Sequence, residues 1–214
     1  MNGVLAFALL NLDTILLGSW RGTAEAGQYA AAGVARDMVL FLPWMAGMLF
    51  LPKVAGAARA SARPRALGPV GVGVTLSAAA LLFVFAKEFV VLVHGPAFEP
   101  AAPVTRVLVP AALLAGAGNL CLQYLLGRGA PRAVVAAPAA ALVVSLAGNA
   151  WAIPAHGALG TAWVALAAAA VLLAVSGTAA ARLAREKSPT GSGGSPEDSR
   201  EAGSEGRSDG AGAA

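Results

Sequence analysis

Residues 133–181 read AVVAAPAAALVVSLAGNAWAIPAHGALGTAWVALAAAAVLLAVSGTAAA, and no Asp, Glu, Lys or Arg stands between Arg132 and Arg182. A helix needs about 20 apolar residues to cross the roughly 30 Å of hydrocarbon in a bilayer. Two such lengths, 133–153 and 158–183, are separated here by Pro154-Ala-His-Gly157, whose proline and glycine punctuate a helical pattern. The stretch predicts two transmembrane helices joined by a short loop.

Working outward, four more apolar stretches run over 3–19, 27–51, 67–93 and 104–126. Their separators, 19–26, 52–66, 94–103 and 127–132, hold the breakers and much of the charge. The whole chain is 57% hydrophobic and 12% charged, with a mean hydropathy of +0.70. A soluble domain carries about 25% charge, so this surface suits lipid rather than water. The predicted fold class is all-α: a polytopic membrane protein whose six transmembrane helices form one lobe over residues 1–186. Met1–Gly3 has no basic residue and Asp13 interrupts the first stretch, so that stretch is read as a retained helix rather than a cleaved signal. Abundant Ala and Gly allow helices to approach closely in lipid. Pro43, Pro110 and Pro138 fall inside stretches. Each removes a helix hydrogen bond and introduces a kink, or a hinge used in transport.

Lys and Arg in short loops orient such a bundle. Lys53, Arg59, Arg63, Arg65, Arg128, Arg132, Arg182, Arg185 and Lys187 follow even-numbered stretches, against Arg21, Lys87 and Arg106 on the other side. Even-numbered helices are therefore expected to end in the cytoplasm, with both termini there. From residue 187 to 214 the composition turns to Gly, Ser, Glu, Asp, Arg and Ala, which buries too little to offset chain entropy; a disordered cytoplasmic tail is expected.

Charges inside apolar stretches are costly and so mark functional candidates. Asp13 is read as a site for a proton or sodium ion or a polar cavity group, or else as an interhelical partner of Arg36. Arg36 and Asp37 sit at mid-depth in the second stretch; neighbours about 100° apart on a helix do not face each other, so both are expected to point inward. Arg36 suits a phosphate, because a guanidinium binds it bidentately. Its alternative is an ion pair with Asp13 or Asp37. Asn119 and Gln123, spaced i, i+4, share a face and either line a cavity or bond between helices. Asn149 is expected to hydrogen-bond between helices, His156 to be solvated, and Lys87 and Glu88 to snorkel at the outer interface.

Catalysis finds no support. Metal-ligand spacing, a nucleophile elbow and paired carboxylates are all missing from the sequence, and Gly71-Val-Gly73 alone is not a nucleotide loop. No cofactor is expected. Cys121, the single cysteine, excludes an intrachain disulfide and reads as a small packing residue. The net charge of +4 is explained by topology, not nucleic acid.

Four phrases carry a family resemblance. They are Asn11-Leu-Asp13-Thr-Ile-Leu-Leu-Gly18 with Ala26-Gly-Gln-Tyr29-Ala-Ala-Ala32; Leu49-Phe-Leu-Pro52-Lys53; Gly127-Arg-Gly-Ala-Pro131-Arg132; and Asn149-Ala-Trp-Ala-Ile-Pro154-Ala-His-Gly157-Ala-Leu-Gly160-Thr-Ala162. Together they resemble the C-terminal half of bacterial polysaccharide and oligosaccharide flippases, in the superfamily that also holds multidrug exporters and lipid II flippases. The resemblance implies one of two six-helix lobes in a bacterial plasma membrane, flipping polyprenyl-pyrophosphate-linked oligosaccharide for cell-envelope polysaccharide. It implies a partner lobe, either a second copy or a separate N-terminal half. A cation-coupled multidrug exporter and a non-transporting fragment or assembly factor are the alternatives. The candidate substrate-binding residues are Arg36, Asp13, Asp37, Asn119 and Gln123.

Overall fold

The computed structural model describes the backbone of residues 2–56 and 67–186, and the side chains of residues 12–41, 45 and 72–185. The expected tail, 187–214, and the basic loop residues Arg59, Arg63 and Arg65 lie outside the described residues, as does the side chain of Asn11. Six α-helices follow in order: α1 Asn2–Arg21, α2 Thr23–Gly56, α3 Leu67–Val84, α4 Ala86–His94, α5 Ala102–Gly127 and α6 Pro131–Glu186. A 3-10 turn, Pro96–Ala101, joins α4 to α5, and no strand occurs among the described residues.

These helices fall on the predicted apolar stretches, with one difference. The stretch 67–93 is not one helix. Its described part bends by 81° between Val72–Val84 and Ala86–His94. The stretches 133–153 and 158–183 form the two helical arms of α6, which break at Gly157, whose φ of 55° and ψ of −138° are not helical. The break is a reversal. A Cβ on Gly148 would stand 2.7 Å from Cγ1 of Val164, sixteen positions along, a separation of about 24 Å on a straight helix. The two arms therefore double back, and a missing side chain on one admits the isopropyl group of the other.

Among the described residues, two helical segments are long and apolar enough to cross a membrane, Pro96–Gly127 and Pro131–Arg185, or three if the bent pair counts as one span. This is compatible with a membrane location. Pro110 is accommodated inside α5, and Pro138 and Pro154 inside α6.

One end of the bundle is held by a cluster of Leu17, Tyr29, Val90, Val104, Leu108, Ile153 and Ala162, drawn from α1, α2, α4, α5 and both arms of α6. A second cluster, Val39, Ala79, Val109 and Ala112, joins α2, α3 and α5. Alanines fill much of both, so the helices sit close together.

Candidate functional site

Asp13 is the deepest acid of the described residues, with only 2% of its surface exposed. A carboxylate so placed requires donors, and three arrive from two other helices. The Tyr29 hydroxyl of α2 donates to Oδ2 at 3.1 Å. On the first arm of α6, Ser145 donates to Oδ1 at 2.9 Å and the Asn149 amide donates to the same oxygen at 2.7 Å. Ser145 and Asn149 are four residues apart and so share a helix face; Asn149 Nδ2 also donates to Ser145 Oγ at 3.3 Å. The amide oxygen of Asn149, also buried, has no hydrogen-bond partner among the described residues. Asp13, Ser145, Asn149 and Tyr29 thus bring together a knot of oxygens with one acceptor unused.

Next to this knot lies a cavity of about 410 Å³, bounded by α1, α2, α5 and both arms of α6. Its polar lining comprises Asp13, Arg36, Asp37, Asn119 and Ser145. The walls are mostly small or apolar, including Ala111, Ala115, Gly116, Ala141, Ala165, Ala168 and Ala169, together with Phe41 and Leu172. The space exists because alanine and glycine stand where larger side chains would fill it.

Arg36 and Asp37 both line the cavity, as expected, the Arg36 side chain 13% exposed and that of Asp37 63%. The two also meet. Arg36 Nε donates to Asp37 Oδ1 at 2.9 Å, because a guanidinium on a long stem can reach around the helix to its neighbour. Of the expected i, i+4 pair on α5, Asn119 lines the cavity. Gln123 is not part of the lining, and its buried Oε1 has no hydrogen-bond partner among the described residues.

Other readings resolve simply. Asn149 does bond between helices. His156 is exposed, its ring 5.7 Å from that of Trp151. Lys87 and Glu88 are exposed, and Lys87 Nζ pairs with Glu99 at 2.7 Å. Cys121 is a half-buried free thiol. Tyr29 and Ser145 are the members of the site that sequence reasoning missed. The signal for Ser145 is its i, i+4 spacing to Asn149 in an otherwise apolar run. For Tyr29 it is a phenol within an alanine-rich segment, since a buried tyrosine hydroxyl needs a partner.

Chemically the site offers oxygen ligands at one end and a single guanidinium, already engaged by a carboxylate, at the cavity wall. No protein-family model, no curated protein and no solved structure matches the chain.

Proposed function

We propose that the chain is one lobe of a membrane transporter that flips lipid-linked oligosaccharide across a bacterial plasma membrane. Its six apolar stretches would cross the bilayer with both termini in the cytoplasm, α3 and α4 sharing one stretch and the arms of α6 supplying two. The observation that carries the reading is a cavity with Asp13, Arg36 and Asp37 on its wall, bounded by helices whose other charges stand near their ends. Charge in such a setting is retained for a substrate, an ion or a partner. The four sequence phrases support the choice of flippase. The pyrophosphate would engage Arg36 while the lipid tail stays in the bilayer, and a partner lobe would complete the cavity for alternating access.

The lining carries one arginine against two aspartates. A phosphate must therefore take Arg36 from Asp37, and the exposed Asp37 side chain has room to swing away. The test is complementation of a flippase-deficient strain, scored by surface polysaccharide. Arg36→Ala is expected to abolish rescue. If Arg36→Ala and Asp13→Asn both leave rescue intact, the site assignment is wrong. Crosslinking in native membranes tests the partner lobe; a fully active, strictly monomeric species would overturn it.

The excess of acid favours a second reading, a cation-coupled exporter whose ion is held at Asp13. That reading expects efflux of a cationic dye to depend on Asp13 and to survive Arg36→Ala.

A further inference from the structure

The third apolar stretch is long enough to cross a bilayer as one helix, yet its two halves meet at 81°. If α3 crosses, α4 runs close to parallel with the membrane plane. The residues of α4 are sorted accordingly. Ala86 and Val90 are buried against the bundle. Phe85, just ahead of α4, Leu92 and Val93, at i, i+7 and i+8, form an apolar flank, with Phe89 between them packed on the core and exposed Glu88 at its border. Leu92 is 86% exposed, and Phe85 and Val93 are about half exposed. The opposite flank carries exposed Lys87, tied to Glu99 of the following turn, and half-buried His94, whose ring lies 5.6 Å from that of Phe98.

An independent observation sets the level. Val90 belongs to the same cluster as Leu17, Ile153 and Ala162. Those residues lie within three positions of Trp20, Trp151 and Trp163, all three of them exposed. Exposed tryptophans gather at the boundary between hydrocarbon and headgroups. The α4 helix therefore lies at the level of an aromatic rim, and its apolar stripe continues the exposed Leu81, Phe83 and Val84 at the end of α3.

We infer that α4 is an in-plane interfacial helix: Phe85, Leu92 and Val93 dip into the acyl boundary of the outer leaflet, and Lys87 faces the headgroups. Its partner is the lipid surface. The inference rests on the membrane reading of the chain and is independent of what the chain transports. The third stretch then crosses as α3 alone, 18 residues and about 27 Å, and α4 adds no depth.

The test uses the full chain in vesicles of phosphatidylethanolamine and phosphatidylglycerol, with Cys121→Ala as background. Single cysteines replace Phe85, Lys87, Val91, Leu92 and Val93, each carrying a nitroxide. Collision with oxygen and with a water-soluble nickel chelate is measured. Labels at 85, 92 and 93 are expected to favour oxygen, and labels at 87 and 91 the chelate. Positions 85 and 92 should report the same depth. A depth difference near 10 Å, the rise of seven helical residues, would overturn the inference, because α4 would then be crossing the bilayer. Chelate access at every α4 position would overturn it too. Val143→Cys, exposed on the first arm of α6, separates the two layers of argument. Oxygen preference at 143 with a crossing α4 defeats only this inference, whereas chelate access at 143 defeats the membrane reading itself.

Discussion

A Cβ built on Gly157, at the turn between the arms of α6, would fall on the Oε2 of Glu25 near the start of α2. Glu25 is held there by Arg21, Nε to Oε2 at 3.4 Å. The turn thus closes onto the α1–α2 corner with space for a hydrogen and nothing more. Gly157→Ala should destabilise the fold twice over, through contact with Glu25 and through a positive φ that side chains rarely adopt. The expected loss is about 2–4 kcal/mol. Adding Glu25→Ala removes the contact but not the backbone strain. The double variant should therefore recover part of the loss, read as the midpoint of thermal unfolding in detergent by the fluorescence of the four tryptophans.

The arms of α6 make a second, complementary test. Gly148→Ala would drive a methyl into Val164 and lower the unfolding midpoint, at a cost of about 1–3 kcal/mol. Val164→Ala in the same chain opens the space again, so the pair should be more stable than Gly148→Ala alone. If the two losses simply add, the arms do not touch as described.

At Asp13, shape and chemistry can be separated. Asp13→Leu strands the Tyr29, Ser145 and Asn149 donors without an acceptor and should cost about 3–5 kcal/mol. Asp13→Asn keeps one oxygen for Ser145 and Asn149 and offers an amide to the Tyr29 hydroxyl, so its cost should stay near 1 kcal/mol. Tyr29→Phe should cost about as little. A stable but inactive Asp13→Asn would place the carboxylate charge in the transport cycle, whereas equal losses of stability and activity would make Asp13 a structural tie.

Asp37 competes for Arg36, and that competition is measurable. Asp37→Asn weakens the pair at the cavity wall and should strengthen binding of a pyrophosphate-bearing lipid about 5- to 10-fold, in the range of one charge-assisted hydrogen bond. Arg36→Lys should bind more weakly than the parent because the bidentate fork is lost. Titration of a fluorescent lipid pyrophosphate in detergent would read both, and unchanged binding in both variants would remove Arg36 from the substrate path.

The helices are legible because each apolar stretch is bounded by Gly, Pro or charge, and hydropathy registers those boundaries directly. Pro154 and Gly157 mark the reversal within 133–183 without ambiguity. The bend at Phe85 is hidden, since Lys87 and Glu88 are the only charged interruption of 67–93 and the residues on either side are as apolar as those of a continuous helix. Of the site, Asp13, Arg36, Asp37 and Asn119 stand out as polar residues in apolar runs, and the cavity wall carries all four. Gln123 stands out equally but lies away from the lining, because four residues of helix carry it along the axis as well as back to the same face. The grouping of Tyr29, Ser145 and Asn149 around Asp13 depends on how α1, α2 and α6 pack, and no local pattern encodes that.

The packing around Asp13 also has a consequence in time. Tyr29 follows Asp13 by 16 positions, whereas Ser145 and Asn149 follow by 132 and 136. At a synthesis rate of about 5–20 residues per second, the first helix waits on the order of ten seconds for the second half of its hydrogen-bond shell to leave the ribosome. During that interval the acid has the phenol of its neighbour and little else. Completion of the last helical pair is then the event that locks the first helix in place, so chains truncated before residue 145 should leave α1 loosely held and open to quality-control proteases.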